Sequence, residues 1–170
     1  RTANGRSHVY TMVFDPKAEV QPEPTQLTNY PIDVSNLLFN QNLLMFSAEM
    51  YFDCNTMQCT ADKNAEVAKR GANTYQIYDE LMIRHWDVWY TQGSASHPFY
   101  QKIKQNEETK QLELDGDAVD VLLNQKLSSP PIEGGSDQFS ISSDGKLIAF
   151  SVHAKNNEMA WTTKWDIYLV

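Results

Sequence analysis

Apolar and polar residues alternate along several short stretches of this chain, with the two-residue period of a β-strand. The clearest stretch, residues 139–170, reads F-S-I-S-S-D-G-K-L-I-A-F-S, continues through a polar segment, and ends W-D-I-Y-L-V. An Asp-Gly pair between two apolar runs is typical of a tight hairpin, because glycine accepts the positive φ that such turns require. The pattern therefore predicts three antiparallel strands in one unit of sheet.

A second copy of the hairpin lies at residues 36–49, which read N-L-L-F, then a polar turn, then L-L-M-F-S-A-E. Aligning Phe46 with Phe150 pairs Phe39 with Ile141, and the earlier hairpin is then two residues shorter. An even-numbered difference keeps each side chain on its original face of the sheet. Equivalent side chains of the two copies therefore face the same side of the sheet, and both copies are consistent with one repeated three-strand unit.

The third strand of the unit recurs as well, marked by an aromatic residue two positions after a polar one. The matched residues are Tyr10, Phe99 and Tyr168, which are 89 and 69 residues apart. These spacings exceed the roughly 40 residues of a plain propeller blade, so we expect insertions between the strands. The predicted insertions are residues 50–93, 106–135 and 153–163.

Repeated three-strand units with insertions in their connections indicate an all-β fold, a partial β-propeller of about two to three antiparallel blades with a helical insertion. A β-sandwich is the alternative, but it does not predict the same signature three times. We expect residues 1–30 to end one blade and form a linker. Residues 31–115 are expected to form a blade that carries the insertion at 50–93, and residues 116–170 the following blade.

We also expect the chain to be a fragment of a larger protein. Three partial blades do not close a ring, and the sequence starts Arg-Thr-Ala without a signal peptide.

The first insertion contains a stretch with helical character, Asn64–Ile83, whose apolar residues Ile77 and Leu81 are spaced for one face of a helix. Asp79 and Glu80 lie in the same stretch. A carboxylate that lines a cavity binds a protonated amine through charge-assisted hydrogen bonds, so Glu80 is a candidate substrate-binding residue. The alternative is that both carboxylates lie on the solvated face of the helix.

The segment R-H-W-D-V-W, residues 84–89, supplies the other candidate substrate-binding residues, Arg84, Trp86 and Asp87. Arg84 and Asp87 are three residues apart and can pair on one helical turn. Trp86 and Trp89 have the same spacing and can form an aromatic wall beside a central cavity. The alternative is that the tryptophans pack the insertion onto its own blade while Arg84 and Asp87 hold the turn.

The composition fits a globular unit rather than a disordered chain, with 170 residues of which 41% are hydrophobic and 21% charged. A formal net charge of −8 disfavours a nucleic-acid groove or an anionic membrane surface as partner. No window approaches the roughly 18 apolar residues of a membrane span, so no span is predicted.

Cys54 and Cys59 are separated by four residues, in D-C-N-T-M-Q-C-T. They can close a small disulfide loop if the segment turns back on itself, and two reduced thiols are the alternative. A disulfide implies an oxidising compartment.

No motif in the chain supports catalysis. The sequence has no G-x-S-x-G nucleophile elbow, no phosphate-binding glycine loop and no H-E-x-x-H. The four histidines are scattered and there is no second cysteine pair, so we predict no catalytic residue, no metal site and no cofactor.

Several motifs follow one another in an order that resembles a known family. They are Y-P-I-D-V-S-N-L-L-F, F-S-A-E-M-Y-F-D-C with C-T-A after it, Y-D-E-L-M-I-R-H-W-D-V-W, H-P-F-Y, F-S-I-S-S-D-G-K-L-I-A-F-S and A-W-T-T-K-W-D-I-Y-L-V. In this order they resemble the N-terminal propeller of prolyl-oligopeptidase-family serine peptidases, most closely the dipeptidyl peptidase 5-like branch. The resemblance covers nearly the whole chain.

This resemblance implies a secreted, periplasmic or vacuolar (lysosomal) enzyme that removes dipeptides from the N-termini of peptides. The implied partners are the peptide substrate, the remaining blades, and a C-terminal α/β-hydrolase domain that carries the Ser-His-Asp triad and is absent from this sequence. The propeller is expected to limit access and to position the substrate's N-terminus. The pair Cys54 and Cys59 falls where the family has a disulfide. A non-enzymatic extracellular or periplasmic propeller that binds proteins is the alternative function.

Overall fold

The computed structural model describes residues 5–40, 42–71, 75–131 and 134–170. Within these residues the chain forms twelve strands and one α-helix. In chain order the elements are β1 (Tyr10–Thr11), β2 (Thr25–Gln26), β3 (Ser35–Asn40), β4 (Leu43–Tyr51), α1 (Met57–Lys69), β5 (Arg84–His85), β6 (Val88–Trp89), β7 (Ser94–Gln105), β8 (Leu112–Asp120), β9 (Leu127–Ser128), β10 (Phe139–Ile141), β11 (Ile148–Ala154) and β12 (Asp166–Leu169).

The larger sheet has the strand order β3-β4-β7-β8, and every neighbouring pair is antiparallel. A second sheet consists of β10, β11 and β12, with β9 paired to the end of β11. Two pairs of two-residue strands, β1 with β2 and β5 with β6, accompany these sheets. The predicted all-β class is confirmed, because the described chain is mostly antiparallel sheet with one helix. None of the sheets that the described residues form is closed.

Strand β4 is buried on both faces because it lies between two hydrophobic cores. On one face, Leu44 and Phe46 pack with residues 9–34, called here the N-terminal segment, and with α1. The rings of Tyr30 and Phe99 lie against Phe46, with centroid distances of 5.0 and 5.4 Å. On the other face, Met45 packs against the second sheet. The larger sheet therefore lies between the second sheet and the N-terminal segment.

The two sheets repeat one strand register, which confirms the alignment made from the sequence. The equivalent pairs between second and third strands are Phe46 with Phe99 and Phe150 with Tyr168. The equivalent pairs between first and second strands are Phe39 with Leu44 and Ile141 with Ile148. Tyr10, the third matched aromatic residue, lies in the short strand β1, which pairs with β2.

A buried histidine–aspartate pair joins β7 to β8. The Nδ1 of His97 and the Oδ2 of Asp120 are 2.8 Å apart, and the side chains are 3% and 7% exposed. The other carboxylate oxygen of Asp120 accepts the backbone N–H of Leu122 at 2.8 Å. The Nε2 of His97 is also buried and has no hydrogen-bond partner among the described residues. The imidazole therefore relies on Asp120 for its hydrogen bond.

Helix α1 lies in the connection between β4 and β7, inside the predicted insertion at 50–93. The Oγ1 of Thr56 caps its start by accepting the N–H of Cys59 at 3.1 Å. Cys54 and Cys59 form the predicted disulfide, with their Cα atoms 5.4 Å apart. Gly71 follows the last turn with φ of +75°, a conformation that glycine adopts readily after a helix. This is the helix that the described residues form, and it is not long and apolar enough to cross a membrane.

The helix predicted at 64–83 is wrong in its bounds. The observed helix spans Met57–Lys69, residues 72–74 lie outside the described part of the chain, and residues 75–83 are not helical. Ile77, which was expected to lie on the apolar face, is 78% exposed. Leu81, the other residue of the expected face, is 49% exposed. Because most helices in proteins are stabilised by burial of an apolar face, a stripe this exposed does not hold the stretch in a helix.

Strand β12 is an edge of the second sheet within the described residues. It pairs with β11 on one side through four residues. Ile167 and Leu169 are both largely exposed on it. The strand therefore has an apolar surface in addition to an edge that no described strand covers.

Candidate functional site

A groove lies between two insertions, residues 79–93 before β7 and residues 153–165, which end β11 and connect it to β12. It consists of two adjoining cavities of about 500 and 320 Å³, called here the first and second cavity of the insertion groove. The residues that line both cavities are Met82, Tyr90, Lys155 and Met159.

The repeated strand register explains why the two insertions meet. Each insertion follows the second strand of its sheet, β4 in one case and β11 in the other. Residues from the connections that follow these two strands line the same two cavities, so both connections emerge on one side of the packed sheets.

Lys155 lies where the two cavities adjoin, directly after the mostly buried strand β11. Its backbone N–H donates to the carbonyl oxygen of Lys126 at 2.9 Å. Its Nζ lies 3.4 Å from the centroid of the Tyr90 ring, a cation–π contact. Burial lowers the pKa of Lys155 to about 8, and the Glu49 carboxylate opposes that shift. No oxygen within the described residues accepts a hydrogen bond from this Nζ.

Charge is distributed unevenly along the insertion groove. The basic side chains that line the first cavity are His85, His153 and Lys155, and no Asp or Glu in the described chain lines it. The second cavity adds the carboxylates of Asp79 and Glu80. Carboxylates bind ammonium groups and an ammonium binds carboxylates through charge-assisted hydrogen bonds. The groove can therefore hold a ligand that carries both signs of charge.

The structure brings one of the four predicted substrate-binding residues to this groove. Glu80 lines the second cavity beside Asp79. Arg84, Trp86 and Asp87 follow in sequence but are not among the residues that line either cavity of the described groove. The predicted constellation is therefore divided between the groove and a neighbouring hairpin.

Residues 84–89 form that hairpin, so the expected pairing of Arg84 with Asp87 on one helical turn is wrong. Strands β5 and β6 pair antiparallel and leave Trp86 and Asp87 at the turn. Trp86 has φ of +51°, which ends any helical geometry there, and the Arg84 guanidinium lies 5.3 Å from the ring of Trp89. Trp86 is 81% exposed, so it does not pack the insertion onto its sheet.

Lys155 and Tyr90, which belong to different insertions, were not among the residues predicted to form a site. The repeat itself contained a usable signal, because equivalent strands predict that the insertions at 50–93 and 153–163 emerge side by side. Within the insertion at 153–163, Lys155 directly follows a predicted strand. A side chain at that position is expected to lie at the end of the sheet, where the connection begins.

The described side chains are suited to binding ions of opposite charge. Across the residues that the structure describes, no group of three or more His, Cys, Asp or Glu residues could hold a metal ion. The insertion groove itself offers the ammonium of Lys155, the carboxylates of Asp79 and Glu80, and aromatic rings as groups that can contact a ligand.

Comparison with known proteins relates the chain to dipeptidyl peptidases. It is 33% identical over 110 residues to the dipeptidyl-peptidase 5 of Aspergillus fumigatus, and 33% identical over 110 residues to that of Trichophyton schoenleinii. It is 29% identical over 113 residues to a probable dipeptidyl-peptidase 5 of Aspergillus niger. Each match covers 63% of this chain, and the chain spans about 15% of the length of these relatives. No protein-family profile and no solved structure matches the chain significantly.

Proposed function

We propose that this chain is part of a serine dipeptidyl peptidase, in which it limits access to the active site and helps to position the N-terminus of the peptide substrate. The observation that carries the proposal is the similarity of about two thirds of the chain to proteins named dipeptidyl-peptidase 5. The catalytic residues are proposed to lie elsewhere in the protein, in an α/β-hydrolase domain of the prolyl-oligopeptidase family.

The proposed scaffold is a β-propeller, with residues 1–30 as the end of one blade and two successive blades after it. The boundary predicted at 115/116 falls inside β8, which pairs with β7 as far as Asp120, so the two blades are proposed to span residues 31–120 and 121–170. Two packed antiparallel sheets of equivalent register support it, because propellers repeat such sheets around an axis. Their first strands lie side by side, and the side-chain amide of Asn40 donates to the carbonyl oxygen of Ser142 at 2.9 Å.

The proposed compartment is an oxidising one, such as the cell exterior, the periplasm or a vacuole. The disulfide between Cys54 and Cys59 supports this, since disulfides persist where thiols are not kept reduced.

The second cavity is proposed to bind the N-terminal ammonium of the peptide. Glu80 and Asp79 supply carboxylates at its wall, and a charge-assisted hydrogen bond to an ammonium is among the stronger polar contacts in proteins. The exposed hairpin with Arg84, Trp86 and Asp87 is proposed to border the same substrate passage.

The full-length protein provides the direct test. We expect a fluorophosphonate probe to label it at a serine, and we expect it to release dipeptides from peptides with a free N-terminus. Peptides with an acetylated N-terminus should react more slowly by about tenfold or more, since they lose a charge-assisted contact. A folded protein that takes up no probe and releases no dipeptide would instead be a binding module without peptidase activity.

Replacement of Glu80 by glutamine is expected to raise KM for dipeptide-releasing substrates by about tenfold, because the amide loses the charge that attracts the ammonium. Steady-state kinetics should show kcat changed by less than about threefold, as expected for a group that acts in binding. Glu66→Gln, on an exposed turn of α1, is the matched control and should leave both constants unchanged. Equal constants for Glu80→Gln and the unaltered protein would remove Glu80 from the substrate site.

A further inference from the structure

We infer that Lys155 is a recognition residue for a carboxylate of the bound peptide, which it holds in the first cavity of the insertion groove. The inference rests on the proposed function for the ligand being a peptide. The carboxylate can come from an acidic side chain or from the C-terminus of a short peptide, and the chemistry of recognition is the same for both.

The surroundings of Lys155 leave its ammonium group incompletely satisfied. The side chain is half-buried, and Tyr90 contacts the Nζ through the face of its ring at 3.4 Å. An ammonium carries three N–H donors, and no oxygen in the described chain accepts a hydrogen bond from the ammonium of Lys155. The Nζ is therefore open to a ligand in the cavity, and a carboxylate there would accept charge-assisted hydrogen bonds from it.

The first cavity has a wall that strengthens such a contact. Trp161, Trp165, Met82 and Met159 line it. Apolar side chains lower the local dielectric constant, so an ion pair formed against them is stronger than the same pair in water.

The charged groups around Lys155 favour an anion in the first cavity rather than in the second. Glu49 is the carboxylate that acts on Lys155 through Coulomb attraction, and it lines neither of the two cavities in the described chain. The acidic pair Asp79 and Glu80 lines the second cavity, together with Lys126. His85 and His153 face the first cavity with Lys155. A peptide therefore finds acceptors for its ammonium at one end of the groove and the ammonium of Lys155 as the donor for a carboxylate at the other.

The protonation of Lys155 gives the site a pH dependence. The pKa of about 8 means that Lys155 is mostly charged at pH 7 and loses its charge as the pH rises past 8. A carboxylate binds the ammonium and not the neutral amine, so affinity should fall above about pH 8. The neutral amine that is present near pH 8 is also the nucleophile that amine-directed reagents require. A carboxylate bound to Lys155 favours the ammonium, so the rate of modification of Lys155 reports whether the site is occupied.

The test measures reductive methylation of Lys155 at pH 8, with formaldehyde and a borane reductant, followed by peptide mass spectrometry. The full-length protein is first treated with the fluorophosphonate probe, so that the proposed peptidase cannot cleave the added peptides and release dipeptides that carry a new carboxylate. Three tripeptides are added separately. Ala-Asp-Ala amide carries a side-chain carboxylate, Ala-Asn-Ala with a free C-terminus carries a terminal one, and Ala-Asn-Ala amide carries none. We expect at least one carboxylate peptide to slow methylation of Lys155 by about fivefold or more, and the neutral peptide to leave it within about twofold.

The pattern of protection identifies the source of the carboxylate, since each of the first two peptides carries a single one. Equal methylation rates with all three peptides, or equal protection by the neutral one, would overturn the inference. Lys69, at the end of α1, reports on nonspecific effects in the same digest.

Variants provide an independent measurement, by calorimetric titration of the same peptides into the probe-treated protein. Lys155→Met should weaken binding of the protective peptide by about tenfold, whereas Lys155→Arg should retain most of it and Lys69→Met all of it. The methylation experiment needs no variant, so it stays decisive if Lys155→Met fails to fold. If the probe labels the protein but no carboxylate peptide protects Lys155, this inference is refuted and the proposed function stands. If a carboxylate peptide protects Lys155 but the probe does not label the protein, this inference stands and the proposed function is refuted.

Discussion

Phe46→Ala is expected to lower the free energy of opening of the larger sheet by about 3–5 kcal/mol, because truncating a buried aromatic residue loses its burial and leaves a cavity. Phe46 is completely buried in the middle of β4, and its ring touches both Tyr30 and Phe99. These contacts join the N-terminal segment, β4 and β7, so the cavity would separate three parts of one core.

Hydrogen–deuterium exchange of the β4 and β7 amides measures this change in the full-length protein, since it reports the stability of a region rather than of the whole molecule. Phe39→Ala is the matched control, because Phe39 lies on the neighbouring strand β3 and is 52% exposed. Its effect should be under about 1 kcal/mol. Similar exchange in both variants would mean that the packing around Phe46 does not stabilise the sheet.

Asp120→Ala is expected to lower the free energy of unfolding by about 1–3 kcal/mol for each buried donor that it leaves without an acceptor, and the first of these is the imidazole of His97. The same change removes the acceptor for the N–H of Leu122. Asp120→Asn should cost less, since an amide oxygen can still accept from the Nδ1–H of His97.

Asp115→Ala is the control on the same strand. Asp115 pairs with Lys104 at 3.8 Å, with both side chains more than half exposed, and such surface pairs contribute about 0–1 kcal/mol. Exchange of the β7 and β8 amides in each variant gives the comparison. If Asp115→Ala and Asp120→Ala destabilised β8 equally, the buried pair would have no special role.

The sheet register could be predicted from the sequence because it depends on a local rule. Alternation with period two fixes which side chains face the core, and the alignment of Phe46 with Phe150 preserved that alternation. The repeat matched Phe46 with Phe150 and Phe99 with Tyr168, and the observed pairs of Phe46 with Phe99 and of Phe150 with Tyr168 agree with that match.

The helix bounds were harder to predict because two signals disagreed. The apolar spacing of Ile77 and Leu81 favoured a helix that continued to residue 83, whereas Thr56 and Gly71 mark the start and end that the structure adopts. Capping residues act within one turn, but an apolar stripe stabilises a helix only if another element covers it. The sequence does not show whether another element packs over the stripe.

The candidate site was predicted in part for a related reason. Glu80 could be proposed from its charge alone, and the structure lines a cavity with it. Lys155 depends on the contact with Tyr90, which arises only when two insertions from different sheets meet. Propensity and periodicity describe neighbours in sequence, so they do not report a meeting of this kind.

The edge strand β12 has a consequence for anyone who prepares this polypeptide by itself. Its free backbone groups and its exposed side chains, Ile167 and Leu169, match the pattern that promotes strand addition between molecules. The isolated 170-residue chain is therefore expected to aggregate in solution through this edge. Measurements on such a solution would then report aggregation rather than the stability of either sheet.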